Sequence, residues 1–168
     1  MLIRLVMVMT ADGVIAKDAK HNPMDWTSKE DKALFRQTSK EAGVIIMGQS
    51  TFDAIGGALP NRLNIVLTRE NRIDNPGILE HKSGDLQTII LDLEKRGYQK
   101  ALVCGGTFVN SAFLQIQLLD EIQITVEPRI FGQGLRLFDK VNADLNMQLL
   151  EVNKLNDNTI NLLYKIIK

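Results

Sequence analysis

The chain has 168 residues, enough for one domain with a substantial core. Its 20 basic and 20 acidic side chains cancel, so it carries no electrostatic footprint for nucleic acid or an anionic membrane. No apolar run approaches the roughly 20 residues that span a bilayer, and a single cysteine excludes an internal disulfide, which suits a reducing cytoplasm.

The first segment, Leu2 to Met9, is apolar but short, and acidic Asp12 follows it. It reads as a buried first strand rather than a signal peptide, with Met7 and Met9 in the core. A helix is predicted over Ser28 to Glu41. Asp31, Leu34, Phe35 and Thr38 fall at i, i+3, i+4 and i+7, so they share one face. Lys29, Lys32, Arg36 and Lys40 lie mainly off it. A carboxylate aligned with Leu and Phe is desolvated, and its pKa rises because burial disfavours the charged form. Such a group can manage a proton near neutral pH. The structural alternative is a helix cap. Ser28 followed three residues later by Asp31 also fits a capping pair at the positive end of the dipole.

Strand-length apolar runs recur at Val44 to Met47, Asn64 to Leu67, Ala101 to Cys104 and Ile122 to Glu127. Helical patterns lie between them, at about Ser50 to Ile55, Asp85 to Arg96 and Phe108 to Ile116. Alternation of this kind implies one α/β domain over residues 1–168, with flanking helices and a central mixed, mostly parallel sheet. The closing segments, Leu145 to Val152 and Thr159 to Ile167, lack a helix between them and imply an antiparallel edge.

Two turns join a buried strand to a helix, Met47-Gly48-Gln49-Ser50-Thr51 and Cys104-Gly105-Gly106-Thr107. In a parallel sheet such turns sit where helix N-termini offer free N–H groups to phosphate. Glycine there lets a ligand approach the backbone. Together they point to a nucleotide-like cofactor, although neither is a G-x-G-x-x-G fingerprint and each alone fits a tight turn. Arg62, before the strand Asn64 to Leu67, is either a two-pronged clamp for a carboxylate or a solvated surface arginine. Cys104 reads as a small core residue rather than a reactive thiol. His21 and His81 have no partners at metal-ligand spacing, so no metal is expected.

The order Trp26, Asp31, Phe35, then Val44-Ile45-Ile46-Met47-Gly48-Gln49-Ser50-Thr51-Phe52, resembles the dihydrofolate reductase family. Ile55-Gly56, Leu59-Pro60, Arg62 and Asn64 to Arg69 continue the match in order, as do Ala11 to Ala16 and Gly105-Gly106. The resemblance covers nearly the whole chain and thins after residue 106. It implies NADPH as cofactor and dihydrofolate as substrate. It implies that Asp31 binds the aminopyrimidine edge of a pterin and assists protonation of N5, that the Thr125 hydroxyl orients the acid, and that Trp26 holds water near it. Val8, Phe35, Ile55 and Leu59 would contact the substrate, and Arg62 its glutamate carboxylate. Ala16, Gly48, Gln49, Ser50 and Thr51 would meet the cofactor. So would Cys104, Gly105, Gly106, Thr107, Phe108 and Val109, with Thr68 and Arg69 at the phosphate on its adenosine ribose.

The chain also departs from the family pattern. Gln49 stands where many members carry arginine, Asn110 where a tyrosine is common, and Lys32 where an apolar residue faces the substrate. The tail from Leu118 through Pro128, Gly132-Gln133-Gly134 and Leu137-Phe138 looks more like the reductase domain of riboflavin biosynthesis, which acts on a ribosylaminopyrimidine phosphate. A non-catalytic nucleotide-binding protein on the same fold is the other alternative. Partners are expected to be small molecules, with no nucleic acid and no membrane, and the state either monomer or homodimer.

Overall fold

A computed structural model describes residues 1–168. Along the chain run β1 (Leu2–Thr10), β2 (Val14–Ala16), α1 (Lys29–Ala42), β3 (Val44–Gly48), α2 (Gln49–Ile55), β4 (Leu63–Leu67), β5 (Leu79–Lys82) and α3 (Leu86–Lys95). Then follow β6 (Lys100–Val103), α4 (Thr107–Gln115), β7 (Glu121–Glu127), β8 (Leu135–Arg136), β9 (Met147–Lys154) and β10 (Ile160–Ile166). Eight strands form one sheet in the order β5-β4-β3-β6-β1-β7-β10-β9. From β5 to β7 every neighbouring pair is parallel, while β10 and β9 are antiparallel. This is the mixed, mostly parallel sheet that the alternation of strand and helix patterns predicts.

The inner parallel strands β3, β4 and β6 are mostly apolar because helices cover both faces. Leu5, Ile45, Ile46, Ile65, Leu102 and Val103 have no exposed surface. The antiparallel edge forms because only a tight turn separates β9 from β10, closed by the Leu155 N–H bonding to the Thr159 carbonyl at 2.9 Å. With so short a link, no crossover helix can fit. Three short strands have no legible sequence signal. β5 is half-buried Leu-Glu-His-Lys, without an apolar run, and β2 and β8 form a separate two-stranded patch. No helix is long and apolar enough to cross a membrane.

The start of α1 sets the position of Asp31. The Ser28 Oγ accepts from the Asp31 N–H at 3.2 Å, so serine does cap the helix. Gly43 ends it at φ +76°, a conformation glycine adopts without strain. The reciprocal half of a capping box is missing. The Ser28 N–H donates instead to Glu127 Oε1 on β7, at 2.7 Å. That long-range bond leaves the Asp31 carboxyl free to face inward.

Candidate active site

A cavity of about 470 Å³ opens at the carboxyl ends of β1, β3 and β6, where ligands of parallel sheets bind. One end is acidic and apolar. Asp31, only 9 % exposed, lines it beside Phe35, Val8, Ile55 and Leu59. Burial pushes the Asp31 carboxyl above the usual carboxylate range. The Thr125 hydroxyl opposes that shift, the Glu127 charge adds to it, and Thr27 and Lys32 oppose it more weakly. Glu127 is itself buried, and its Oε2 accepts from Thr159 Oγ1 at 3.0 Å.

Trp26 is buried and its indole N–H has no protein partner. An orphaned buried donor of this kind fits an ordered water. The Trp26 ring lies parallel to His21, with centroids 6.2 Å apart, and meets Phe131 edge-on at 5.1 Å. Both His21 and Lys32 line the cavity, and Lys32 Nζ donates to the Met24 carbonyl at 2.7 Å.

The other end is built from backbone. Gly48, Gln49, Ser50 and Thr51 face Cys104, Gly105, Gly106, Thr107, Phe108 and Val109 across it, with Ala16 at the rim. Gly105 stands at φ +98°, and a Cβ there would meet Met7 Sδ and Cε at 3.3 Å. A Cβ on Gly106 would meet Thr51 Oγ1 at 3.3 Å. Gly106 starts α4 with no side-chain cap, so the first N–H groups of that helix stay free for an anion. A glycine-lined cradle that a Cβ would crowd, beside free N–H groups, fits a dinucleotide cofactor. A smaller cleft shares Leu67 with the cavity and holds Thr68, Arg69, Lys82 and Ser83.

Comparison with known proteins gives the family. The family model of dihydrofolate reductase matches residues 2–159. The chain belongs to the dihydrofolate reductase family. Dihydrofolate reductase of Haemophilus influenzae is 44% identical over 70 residues, which cover 42% of this chain and 41% of that enzyme. Among solved structures, dihydrofolate reductase from Enterococcus faecalis complexed with NADP(H) superposes with a TM-score of 0.73 at 19% identity, covering 99% and 97% of the two chains. The diaminohydroxyphosphoribosylaminopyrimidine deaminase/5-amino-6-(5-phosphoribosylamino)uracil reductase of Thermotoga maritima reaches a TM-score of 0.80 at 18% identity, over 99% of this chain and 56% of that one. The curated dihydrofolate reductase thus aligns over about two-fifths of its length, and the structural neighbours carry the fold alone. Membership makes the protein an oxidoreductase of a nicotinamide-nucleotide-dependent family.

Most residues singled out in the sequence meet in this one cavity. Arg62 does not. It is buried, its Nε donates to the Pro60 carbonyl at 3.0 Å, and its Nη1 is bonded to Ser39 Oγ on α1. Burial excludes the solvated surface arginine; the side chain braces the start of β4 against α1. Asn110 also turns away, donating from Nδ2 to the Leu137 carbonyl at 2.9 Å. Cys104 lines the cavity, yet burial pushes its thiol up to about 12. No local pattern pointed to His21, which reads as a surface or loop residue. Glu127 had a signal, because it lies two residues beyond Thr125 and so on the same face of β7.

Proposed function

We propose that the protein reduces 7,8-dihydrofolate to tetrahydrofolate with NADPH. The observation that carries this reading is Asp31, a buried carboxyl with raised proton affinity in an apolar wall, facing a glycine-lined cofactor cradle. A carboxylate there accepts two parallel N–H bonds from the aminopyrimidine edge of a pterin. Phe35, Val8, Ile55 and Leu59 pack on the rings and hold them face to face with the nicotinamide. When bound, the cofactor supplies the hydride, and the protein supplies geometry and electrostatics. Asp31 raises the basicity of the ring system, and the proton reaches N5 through water held near Trp26. Gly48 to Thr51 and Gly105 to Val109 hold the cofactor, with Ala16 over the nicotinamide. Thr68 and Arg69, joined by Lys82 and Ser83, select NADPH over NADH by meeting its ribose phosphate. Arg62 takes the glutamate tail by exchanging its bond to Ser39 for the carboxylate.

A second reading has its own support. Lys32 lies in the cavity beside Asp31, and Arg62 lies outside it. A cation near the acid and no tail clamp suit a phosphorylated ribosylaminopyrimidine, the type of substrate named for the Thermotoga maritima neighbour. One assay separates the readings: NADPH consumption by the purified protein with each substrate, repeated with NADH. Turnover of the ribosylaminopyrimidine phosphate alone overturns the folate proposal. Cofactor binding without turnover of either supports a non-catalytic protein.

A further inference from the structure

A file of polar side chains runs across β1, β7 and β10 and ends at Thr125, beside Asp31. Asn161 on β10 stands opposite Thr125 on β7, and it is 1 % exposed. Its Nδ2 donates to Thr125 Oγ1 at 2.9 Å, and its Oδ1 accepts from Gln123 Nε2 at 2.9 Å. Gln123 Oε1 in turn accepts from Arg4 Nη1 at 3.2 Å. Glu121 Oε2 holds the same guanidinium through Nε at 2.7 Å.

The direction of this file is set at Arg4. A guanidinium has only donors, so Gln123 turns its oxygen to Arg4 and its nitrogen to Asn161. Asn161 must then turn its oxygen to Gln123 and its nitrogen to Thr125. Flipping either amide would set two donors or two acceptors face to face in a buried site, which is costly. A hydroxyl that accepts from Asn161 keeps its one proton for another acceptor. Asp31 lies near that hydroxyl, and Thr125 favours the charged form of the acid.

We propose that Asn161 is a positioning residue: it orients the Thr125 hydroxyl as a donor to Asp31 and thereby sets the proton affinity of that acid. Only its consequence for rate rests on the proposed reductase function. Other charges face Asp31 as well. Glu127 comes from β7 and Lys32 from α1, and Asp18 and His21, from the segment after β2, line the same cavity. These act whether or not Asn161 is present, so the test must isolate Thr125.

The measurement is a carbon-13 NMR titration of aspartate carboxyls in the ligand-free protein, with the Asp31 signal identified by its loss in Asp31→Asn. Asn161→Leu is expected to raise the proton affinity of Asp31 about 5-fold, the worth of one neutral hydrogen bond. In a Thr125→Val background the same substitution should have less than about half that effect. Asn161→Ala, which also removes the donor to Thr125 and adds no charge, follows the same rule and serves if the leucine variant does not fold. In the active enzyme, the pH profile of kcat should move with the titration. Equal shifts in both backgrounds, or none in either, overturn the proposal. A wild type that ignores dihydrofolate overturns the folate reading instead and leaves the titration result standing.

Discussion

The two ends of the cavity are built in opposite ways. At the acid end, side chains from distant strands do the work: Asp31 on α1 faces Thr125 on β7, while Glu127 ties β7 to the start of α1. At the glycine end the backbone does it, through turns where a Cβ on Gly105 or Gly106 would crowd Met7 or Thr51 at 3.3 Å. In the proposed function the first would select the substrate through a few buried polar atoms, so its sensitivity would be chemical. The second would there hold the cofactor through shape and N–H groups, so its sensitivity would be steric.

The largest effect expected is at the acid end. Asp31→Asn removes one acid and hardly changes volume. It should cut hydride transfer at neutral pH by about 10²- to 10⁴-fold while cofactor affinity is retained. Activity should return in part at low pH, where the substrate is already protonated. Single-turnover rates across pH check this, and an unchanged rate would reduce Asp31 to a helix residue. The same variant has a stability signature. An acid whose pKa is raised in the fold binds its proton more tightly folded than unfolded. Wild-type stability therefore grows as pH falls through the folded value and levels off below the unfolded value, about 3.9. Above the folded value the buried charge opposes the fold in full. Asp31→Asn should melt higher than wild type there, with the gap closing in acid. Calorimetric melts over pH test that sign.

Gly105→Ala is the matching steric insult. It places a Cβ against Met7 in a left-handed conformation. Backbone strain of about 1–3 kcal/mol should weaken NADPH binding by roughly 5- to 150-fold. Fluorescence titration with the cofactor reads this, and unchanged affinity would mean that the turn is not part of the cradle. Arg62→Leu comes next. If its guanidinium takes the glutamate tail, KM for dihydrofolate rises about 10-fold or more, the cost of a charge-assisted bond. If it only braces β4 against α1 through Ser39, Tm falls and KM stays the same. The smallest effect is at Cys104. Its thiol, pushed up to about 12 by burial, should resist alkylation at pH 8 until the protein is unfolded, although it lines the cavity. Rapid labelling of the native protein would contradict that.

Legibility followed the range of the interactions. Helix α1, the glycine turns and the apolar strands were readable because period, capping and turn chemistry act within a few residues. β5 was not, since a polar strand forms there only because β4 offers it an edge. Asp31 could be read two ways because both are partly true. Ser28 does cap the helix, but only the bond from its N–H to Glu127, 99 positions away, frees the acid from capping.

By itself, then, the chain determined its layered α/β architecture, the apolar strands of its core and the two turns that can admit a cofactor. These follow from hydrophobic period and from glycine's conformational range, which are local properties. Only the tertiary structure decided which polar groups meet. It drew Arg62 inward to Ser39, set His21 and Lys32 beside the cavity, and aligned Arg4, Gln123, Asn161 and Thr125 behind Asp31. Buried polar atoms must find partners, and those partners come from whichever strand the fold places alongside.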